Sequence, residues 1–232
     1  MCEMQPESFH GINPEVGTLL KTIIADKRPS VTLEVGLALG VSTLLICEEL
    51  RKVGGHRHIA IDPGQTTEFK AIGIGRVRNA GFEDLVELRE QESQFALPQL
   101  VAEGVQVDFA FVDGAHTLDH TLVDFFFIDR LLRVGGVVSF DDCTFPQIHH
   151  ICRFIATNRA YRTYGASSGS SPRLRNRVIQ WLARRSVNVR RTVQARFIVT
   201  DEQLNFPRKA RCLAFEKLAE DTRDLNYSHE DF

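Results

Sequence analysis

The stretch VTLEVGLALGVSTLLICEELRKV, residues 31–53, decides the fold that the sequence predicts. It begins with a short β-rich run, residues 31–36, which ends in glycine, and its second part, residues 41–53, places apolar side chains at helical spacing. A buried strand, a glycine turn and a helix in this order are typical of a βαβ unit with a parallel sheet. The stretch therefore predicts an α/β domain.

The rest of the chain repeats this alternation of strands and helices. Further strands are predicted at 58–62, 85–90, 107–113, 135–141, 195–200 and 212–218, and further helices at 14–27, 66–80, 95–103, 117–133 and 146–158. We expect a Rossmann-like, doubly wound α/β fold with a mainly parallel seven-stranded sheet and helices on both faces. Residues 1–232 are expected to form a single domain with a basic insertion at about 165–196.

The composition is that of a globular protein with little net charge. Of the 232 residues 43% are hydrophobic, and the formal net charge of −2 gives no general reason to bind nucleic acid. No apolar run approaches the roughly 18 residues of a membrane span, and the N-terminus lacks the basic start and apolar core of a signal peptide. The five cysteines are scattered and form no CxxC pair, which favours reduced thiols and a cytoplasmic location.

Polar residues and glycines follow five of the predicted strands at the point where each strand ends. In open α/β sheets, ligands bind beyond the carboxyl ends of the strands, near the point where the strand order reverses. We therefore expect one ligand site built from Glu34, Gly36, Gly40, Ser42, Asp62, Ser93, Gln94, Asp113, Asp141 and Asp142.

The glycine turn after the first strand and the acid after the second strand indicate a nucleoside-bearing cofactor. Glycine lets the turn approach a ligand closely, and the N-terminus of the next helix favours an anionic group. Asp62 lies 26 residues after Gly36, which suits hydrogen bonds to both hydroxyls of a ribose. The turn reads E-x-G-x-x-x-G and not the GxGxxG of nicotinamide enzymes, so a nicotinamide oxidoreductase is a less favoured alternative.

The adjacent acids Asp141 and Asp142 need a neutralising partner, because neighbouring carboxylates repel each other. Protons, a cationic side chain or a metal ion would each serve. No lysine or arginine stands beside the pair in the sequence, and we expect Arg133 to lie on the far side of the preceding strand. Alternatively, Asp142 caps the helix that follows and Asp141 is its solvated neighbour.

Several segments resemble, in the same order, those of class I S-adenosylmethionine-dependent methyltransferases. These segments are LEVGLALGVSTLL (33–45), IAIDP (59–63), AGFEDLVELREQESQFALPQL (80–100), VDFAFVDGAH (107–116) and LLRVGGVVSFDDC (131–143). They look most like the branch that contains the catechol and caffeoyl-CoA O-methyltransferases and the bacterial sugar O-methyltransferases. The resemblance covers roughly residues 14–160 and implies an O-methyltransferase that acts on a hydroxyl of a small molecule, such as a sugar, a polyol or a catechol-like compound.

The resemblance also implies a role for each candidate residue. S-adenosyl-L-methionine would be the cofactor, and the residues implied to bind it are Glu34, Gly36, Ala38 and Ser42 around its methionine part, Asp62 at the ribose, Ser93 and Gln94 beside the adenine, and Asp113 under the methyl-transfer centre. The branch commonly uses a divalent metal held by carboxyl or amide groups, which match Asp113, Asp141 and Asp142. An all-oxygen site suits Mg²⁺ or Mn²⁺, with Ca²⁺ as a further option.

Two positions depart from the pattern of the catechol enzymes. Those enzymes carry lysine where this chain has His116, and histidine is expected to take the proton of the acceptor hydroxyl near neutral pH. They also carry Asp-Asn where this chain has Asp141 and Asp142, a pairing nearer to the sugar enzymes. A hydroxylase or a nucleoside-binding protein of the same fold, without methyl transfer, remains the closest alternative.

The arginine-rich segment 173–196 contains eight arginines and no acid. It has three interpretations: a basic amphipathic helix on an anionic membrane, a lid that recognises an anionic acceptor, or a solvated insertion that packs on its own domain or on a partner subunit. The third is favoured, and an apolar face within the segment makes a homodimer a plausible assembly.

Overall fold

Six helices and seven strands make up the part of the chain that the computed structural model describes, residues 12–167, 199–207, 209–224, 226–229 and 232. The helices are α1 (Pro14–Lys27), α2 (Val41–Val53), α3 (Ile72–Asn79), α4 (Ser93–Ala102), α5 (Leu118–Leu131) and α6 (Pro146–Asn158). The strands are β1 (Val31–Val35), β2 (Arg57–Ile61), β3 (Val86–Arg89), β4 (Val107–Val112), β5 (Leu132–Phe140), β6 (Tyr161–Ala166) and β7 (Leu213–Lys217).

The strands form one sheet in the order β3-β2-β1-β4-β5-β7-β6. Strands β1 to β5 pair in parallel, and β7 runs antiparallel between β5 and β6. The predicted fold class, a mainly parallel seven-stranded doubly wound sheet, is confirmed. The strand order reverses between β1 and β4, so the carboxyl ends of these two strands border the crevice where such sheets bind ligands.

Helices cover both faces of the sheet because neighbouring residues of each strand point to opposite faces. On β4, Phe109 and Phe111 pack with the apolar sides of α1 and α2, whereas Ala110 and Val112 pack with α4, α5 and α6. These strand residues are at most 5% exposed. Burial on both faces explains why the strands lack the polar–apolar alternation of a half-exposed sheet.

The helix predicted at 66–80 is shorter in the structure. Residues 63–71 form turns, and α3 begins only at Ile72. Lys70 and Ala71 both have left-handed backbone conformations, with φ of 51° and 58°, and these interrupt a right-handed helix. The segment before α3 therefore remains a loop at the carboxyl edge of the sheet.

One of the two predicted closing strands is correct, and the other is replaced. The run at 212–218 contains β7, but the last two residues of the strand predicted at 195–200 have no strand structure, and its other residues lie outside the described part. The second closing strand is β6, a segment for which the sequence predicts no strand. This strand lies at the sheet edge, and its register shifts between Thr163 and Gly165, so its pattern is weak.

The predicted basic insertion at 165–196 lies mostly outside the described residues, so its three interpretations stay predictions, as does the homodimer. Within the described ranges, no helix is long and apolar enough to cross a membrane.

Candidate active site

The turn after β1 brings its backbone directly against the end of β4. Gly36 has φ of 97°, and its N–H donates to the carbonyl oxygen of Ile61 over 2.9 Å. The neighbouring Val35 carbonyl accepts from the N–H of Asp113, also over 2.9 Å. A Cβ atom on Gly36 would overlap the carbonyl oxygen of Asp113, so only glycine fits here.

A cavity of about 540 Å³ opens at this switch point between β1 and β4. Its wall combines the glycine turn, the start of α2 and the ends of β4 and β5. The lining residues are Ile12, Gly36, Leu37, Ala38, Leu39, Val41, Ser42, Phe69, Asp113, Gly114, His116, Asp141, Asp142 and Arg211. Seven of the predicted site residues thus meet around one space: Gly36, Ala38, Ser42, Asp113, His116, Asp141 and Asp142.

Glu34 lies behind this wall and is fully buried. Its Oε2 accepts from the Thr43 hydroxyl over 2.5 Å and lies 3.2 Å from Nε2 of His58, while its Oε1 has no partner. The contact of His58 with Thr32 Oγ1, at 2.9 Å, completes a buried polar chain. The structure therefore gives Glu34 a supporting position, and its contact with a cofactor stays a prediction.

Asp62 also lies beneath the cavity wall and is 4% exposed. Its Oδ2 accepts from the backbone N–H of Ala38 over 2.6 Å and from Nε2 of Gln65 over 3.1 Å, and its Oδ1 accepts from the N–H of Gly64 over 2.7 Å. These bonds join the turn after β1 to the turn after β2. A carboxylate offers about four acceptor positions, so one position remains for a ribose hydroxyl.

Ser93 and Gln94 do not line the cavity. They border a separate hollow with Asp119, His120 and Val123. The Ser93 side chain also hydrogen-bonds the buried Asp124. Their position beside the adenine therefore stays a prediction.

The acidic cluster, Asp113, Asp141 and Asp142, lines the same cavity as the glycine turn and the start of α2. Ligand atoms of Asp113, His116 and Asp142 all lie within 4.8 Å of one another. His116 Nε2 is 3.3 Å from Oδ2 of Asp142. Asp142 has a left-handed backbone with φ of 52°, a conformation that aspartate and asparagine tolerate better than most residues.

Arg211 places a cationic side chain beside Asp141 and Asp142. Its Nε lies 3.3 Å from Oδ2 of Asp141, and its Nη2 lies 3.2 Å from Oδ1 of Asp142. The expectation of no cationic side chain beside the pair is therefore wrong. Arg133 does lie at the opposite end of the strands, as expected, where it pairs with Asp108 at 3.0 Å.

Arg211 lies beside the acid pair because of the register between two strands, which the local sequence does not reveal. Phe140 on β5 pairs with Leu213 on β7 in antiparallel register, and continuing that register by two residues places Asp142 opposite Arg211. The alternative that Asp142 caps the next helix is also wrong. The N-cap of α6 is Phe145, and that helix start has no side-chain cap.

Charge is poorly balanced in the acidic cluster even with Arg211 present. Burial, together with the charges of Asp141 and Asp142, raises the pKa of Asp113 to about 8. Burial also raises the pKa of Asp141, although Arg211 opposes the shift. Oδ1 of Asp141 is buried and has no hydrogen-bond partner, so the cluster has acceptor capacity that the protein does not use.

This donor set fits a divalent cation. Ligand atoms of Asp113, Asp142 and His116 lie close enough together to share one ion, whereas Asp141, the third predicted ligand, is not part of this group. Hard cations such as Mg²⁺ and Mn²⁺ prefer the carboxylate oxygens. The unpaired Oδ1 of Asp141 is a buried acceptor at the cavity wall. His120, by contrast, contacts Thr117 Oγ1 at 2.8 Å and is no member of the cluster.

The fold is that of a Rossmann-like domain with a ligand cavity at the switch point of its sheet. Residues 33–143 match the family model described as a methyltransferase domain, a range that holds the glycine turn and the whole acidic cluster. The predicted resemblance to S-adenosylmethionine-dependent O-methyltransferases is thereby confirmed.

Individual relatives carry the same likeness. The chain is 29% identical over 147 residues to a caffeoyl-CoA O-methyltransferase of Stellaria longipes. These residues make up 60% of this chain and 57% of that protein. It is 28% identical over 156 residues to catechol O-methyltransferase B of Danio rerio, covering 66% of this chain and 57% of the relative. The matches thus span less than two thirds of the length of these curated relatives.

A solved structure shows the same fold. An O-methyltransferase from Bacillus cereus, determined in complex with SAH, superposes with a TM-score of 0.58 at 22% identity. The superposition covers 67% of this chain and 74% of that one.

Proposed function

We propose that this protein transfers the methyl group of S-adenosyl-L-methionine to a hydroxyl of a small molecule, such as a sugar, a polyol or a catechol-like compound, with a divalent metal ion assisting. One observation carries the proposal: a single cavity joins the glycine turn after β1 to the acidic cluster and His116. The names of the caffeoyl-CoA and catechol relatives support O-methyl transfer as the reaction.

The glycine turn and the start of α2 would bind the methionine part of the cofactor. Gly40 precedes α2 without a side-chain cap, so the first backbone N–H groups of the helix are available for a carboxylate. Ser42 lies in the first turn of the same helix and lines the cavity. Asp62 would fix the ribose while holding Ala38 in place.

His116 is proposed to accept the proton of the acceptor hydroxyl as its oxygen attacks the methyl carbon. The contact of its Nε2 with Asp142 favours the tautomer that carries the proton on Nε2. Nδ1 is then left as the proton acceptor. Asp142 would also stabilise the imidazolium that forms when the proton is taken up.

Asp113, Asp141 and Asp142 are proposed to hold Mg²⁺ or Mn²⁺, with Ca²⁺ as a further option. When bound, such an ion would lower the pKa of the acceptor hydroxyl and orient its oxygen. Asp113 must give up its proton before it can act as a ligand, since its pKa lies near 8 in the absence of metal. Metal affinity should therefore increase as the pH rises toward and above 8.

Three measurements test the proposal. Calorimetry should detect binding of S-adenosyl-L-methionine and not of NAD, and methyl-labelled cofactor should yield a labelled product with at least one member of a panel of catechols, polyols and sugars. Turnover should fall with a chelator and return with Mg²⁺ or Mn²⁺. A protein that binds the cofactor but labels no acceptor hydroxyl would favour the alternative without methyl transfer.

A histidine pair supplies the matched control. His116→Gln should lower turnover about 10²–10⁴-fold with little change in cofactor affinity, because the residue acts on the acceptor proton. His120→Gln, four positions along the chain and turned toward Thr117, should retain activity. Equal activity of the two variants would remove the proposed role of His116.

A further inference from the structure

Arg211 contacts two carboxylate oxygens that a metal ion bound to the acidic cluster could use as ligands. Nε and Nη2 of its guanidinium each face one carboxylate oxygen, of Asp141 and of Asp142 respectively, at 3.3 and 3.2 Å. Both carboxylates line the cavity beside Asp113. A cation that took these two oxygens as ligands would compete with the guanidinium for the same acceptor atoms.

We propose that Arg211 is a built-in counter-ion of the acidic cluster that competes with a divalent cation and thereby sets the affinity of the site for that cation. The inference rests on the proposed function, because the metal site is part of that proposal. Arg211 stabilises the cluster when no metal is bound, and its guanidinium turns away when a metal binds.

The backbone of Arg211 is held firmly, so the guanidinium always starts from the same point. Its N–H donates to Oγ of Ser167 over 2.9 Å, and its carbonyl oxygen accepts from the N–H of Cys143 over 2.7 Å. The bond from Cys143 extends the antiparallel pairing of β5 with β7 beyond the strand ends, and the bond to Ser167 ties Arg211 to the end of β6. Competition by Arg211 is therefore a property of the fold and does not depend on a loop movement.

The guanidinium itself is held loosely. Its two contacts are longer than the roughly 2.8 Å of a strong charge-assisted hydrogen bond, and its side chain is 45% exposed. By comparison, Arg159 approaches Asp129 to 2.6 Å, and both side chains of that pair are at most 5% exposed. The Arg211 guanidinium can therefore move into solvent at little cost, whereas the buried pair cannot separate so readily.

Arg211 also leaves part of the cluster unsatisfied. Oδ1 of Asp141 is buried and keeps no partner even with the arginine nearby. A doubly charged ion that reaches all three carboxylates would neutralise more charge than one guanidinium does. Metal binding should therefore win at sufficient concentration, but with an affinity reduced by the contacts that Arg211 gives up.

The test measures metal binding directly, without cofactor or acceptor. The full chain is stripped with a chelator and titrated with Mn²⁺, and the free ion is counted by electron paramagnetic resonance. Arg211→Gln should bind Mn²⁺ about tenfold more tightly than the wild type, the expected gain from removing a partly exposed competing ion pair. Arg133→Gln, which breaks an arginine–aspartate pair at the opposite end of the strands, should bind Mn²⁺ like the wild type.

A second variant decides the matter if Arg211→Gln does not fold. Arg211→Lys keeps the charge but loses the planar fork that spans two carboxylates, so its affinity for Mn²⁺ should lie between those of the wild type and the glutamine variant. Unchanged or weaker Mn²⁺ binding in both variants would overturn the proposal.

The same titration separates this inference from the proposed function. If no variant binds Mn²⁺ while labelled methyl groups still reach an acceptor, the inference fails and methyl transfer stands. If the variants bind Mn²⁺ in the expected order while calorimetry detects no S-adenosyl-L-methionine, the inference stands and the proposed function fails.

Discussion

The two sides of the cavity differ in how far the protein's own groups satisfy the carboxylates. On the side of the glycine turn, Asp62 accepts three hydrogen bonds from its own chain. At the acidic cluster, Asp113 has a pKa raised to about 8, and one oxygen of Asp141 is buried without a partner. On the first side Asp62 is largely satisfied by its own chain, although the buried Glu34 behind the turn keeps one oxygen without a partner. The second side carries charge that the protein does not fully neutralise.

This difference matches the two tasks of the proposed enzyme. A cofactor pocket gains affinity when its backbone is fixed before binding, because less ordering is required on association. A site that must bind a metal and activate a hydroxyl needs acceptor atoms that are not already used. Imperfect charge balance at the acidic cluster is thus the expected signature of the reacting end.

The largest effect should come from filling the space that Gly36 leaves. Gly36→Ala forces a Cβ atom into the backbone of Asp113 and should reduce the free energy of unfolding by about 3 kcal/mol or more, measured by denaturant unfolding. Gly54→Ala is the matched control, since Gly54 also has a left-handed φ, of 82°, but no atom lies within 4 Å of its added Cβ. That variant should lose only about 1 kcal/mol, the cost of the backbone conformation alone. Equal losses would mean that the close approach of the two strand ends is unimportant.

The second effect should come from Asp62. Asp62→Asn replaces an acceptor with a donor opposite backbone N–H groups, so we expect a loss of about 2 kcal/mol in the free energy of unfolding and weaker cofactor binding. If Asp62 merely stood at the edge of a loop without these hydrogen bonds, Asp62→Asn would cause no loss of stability. Asp84→Asn should stay within about 0.5 kcal/mol of the wild type, because the Asp84 side chain is 78% exposed. An unchanged stability of Asp62→Asn would show that the turn is held by other contacts.

The same substitution at Asp113 should have the opposite sign. The pKa of Asp113 is about 8 in the folded protein and near 4 when unfolded, so between these values folding retains a proton and stability decreases as the pH rises. Asp113→Asn removes that penalty. Without metal, the variant should equal the wild type near pH 4 and become progressively more stable than the wild type as the pH rises through about 8, while losing metal binding. Thermal unfolding across this pH range checks the expectation, and a variant less stable at pH 9 would contradict it.

Candidate residues of both sides could be predicted from the sequence, but the counter-ion of the second side could not, for a physical reason. The glycine turn is local, because Gly36 and Ser42 stand within one strand–helix connection whose spacing can be read directly. Arg211 reaches Asp142 only through the register of an antiparallel strand far along the chain. Neither the strand order nor the register is visible in a run of residues, so the counter-ion of the acid pair could not be predicted.

Burial accounts for the remaining differences at the site. Glu34 and Asp62 were predicted from their positions at strand ends, but a strand end does not tell whether a side chain points into the crevice or beneath it. Glu34 lies on the face of the sheet that α2 covers, where Thr43 and His58 contact it. The left-handed residues before α3 likewise depend on how the turn after β2 packs under the cavity.

The smallest effect should come from Ala38, and it tests how firmly the first side is held. Ala38 has a left-handed φ of 44° while its N–H donates to Asp62, so the turn keeps a conformation that costs an alanine about 1–2 kcal/mol. Ala38→Gly removes this strain but adds freedom to the unfolded chain, which offsets about 0.4–1 kcal/mol of the gain. We expect a net stabilisation of about 0.5 kcal/mol in denaturant unfolding. Ala80→Gly is the control with the opposite sign, since Ala80 has a right-handed φ of −84° and should lose stability on the same substitution. If both variants lose stability, Ala38 is not strained, and its hydrogen bond to Asp62 does not hold the turn in an unfavourable conformation.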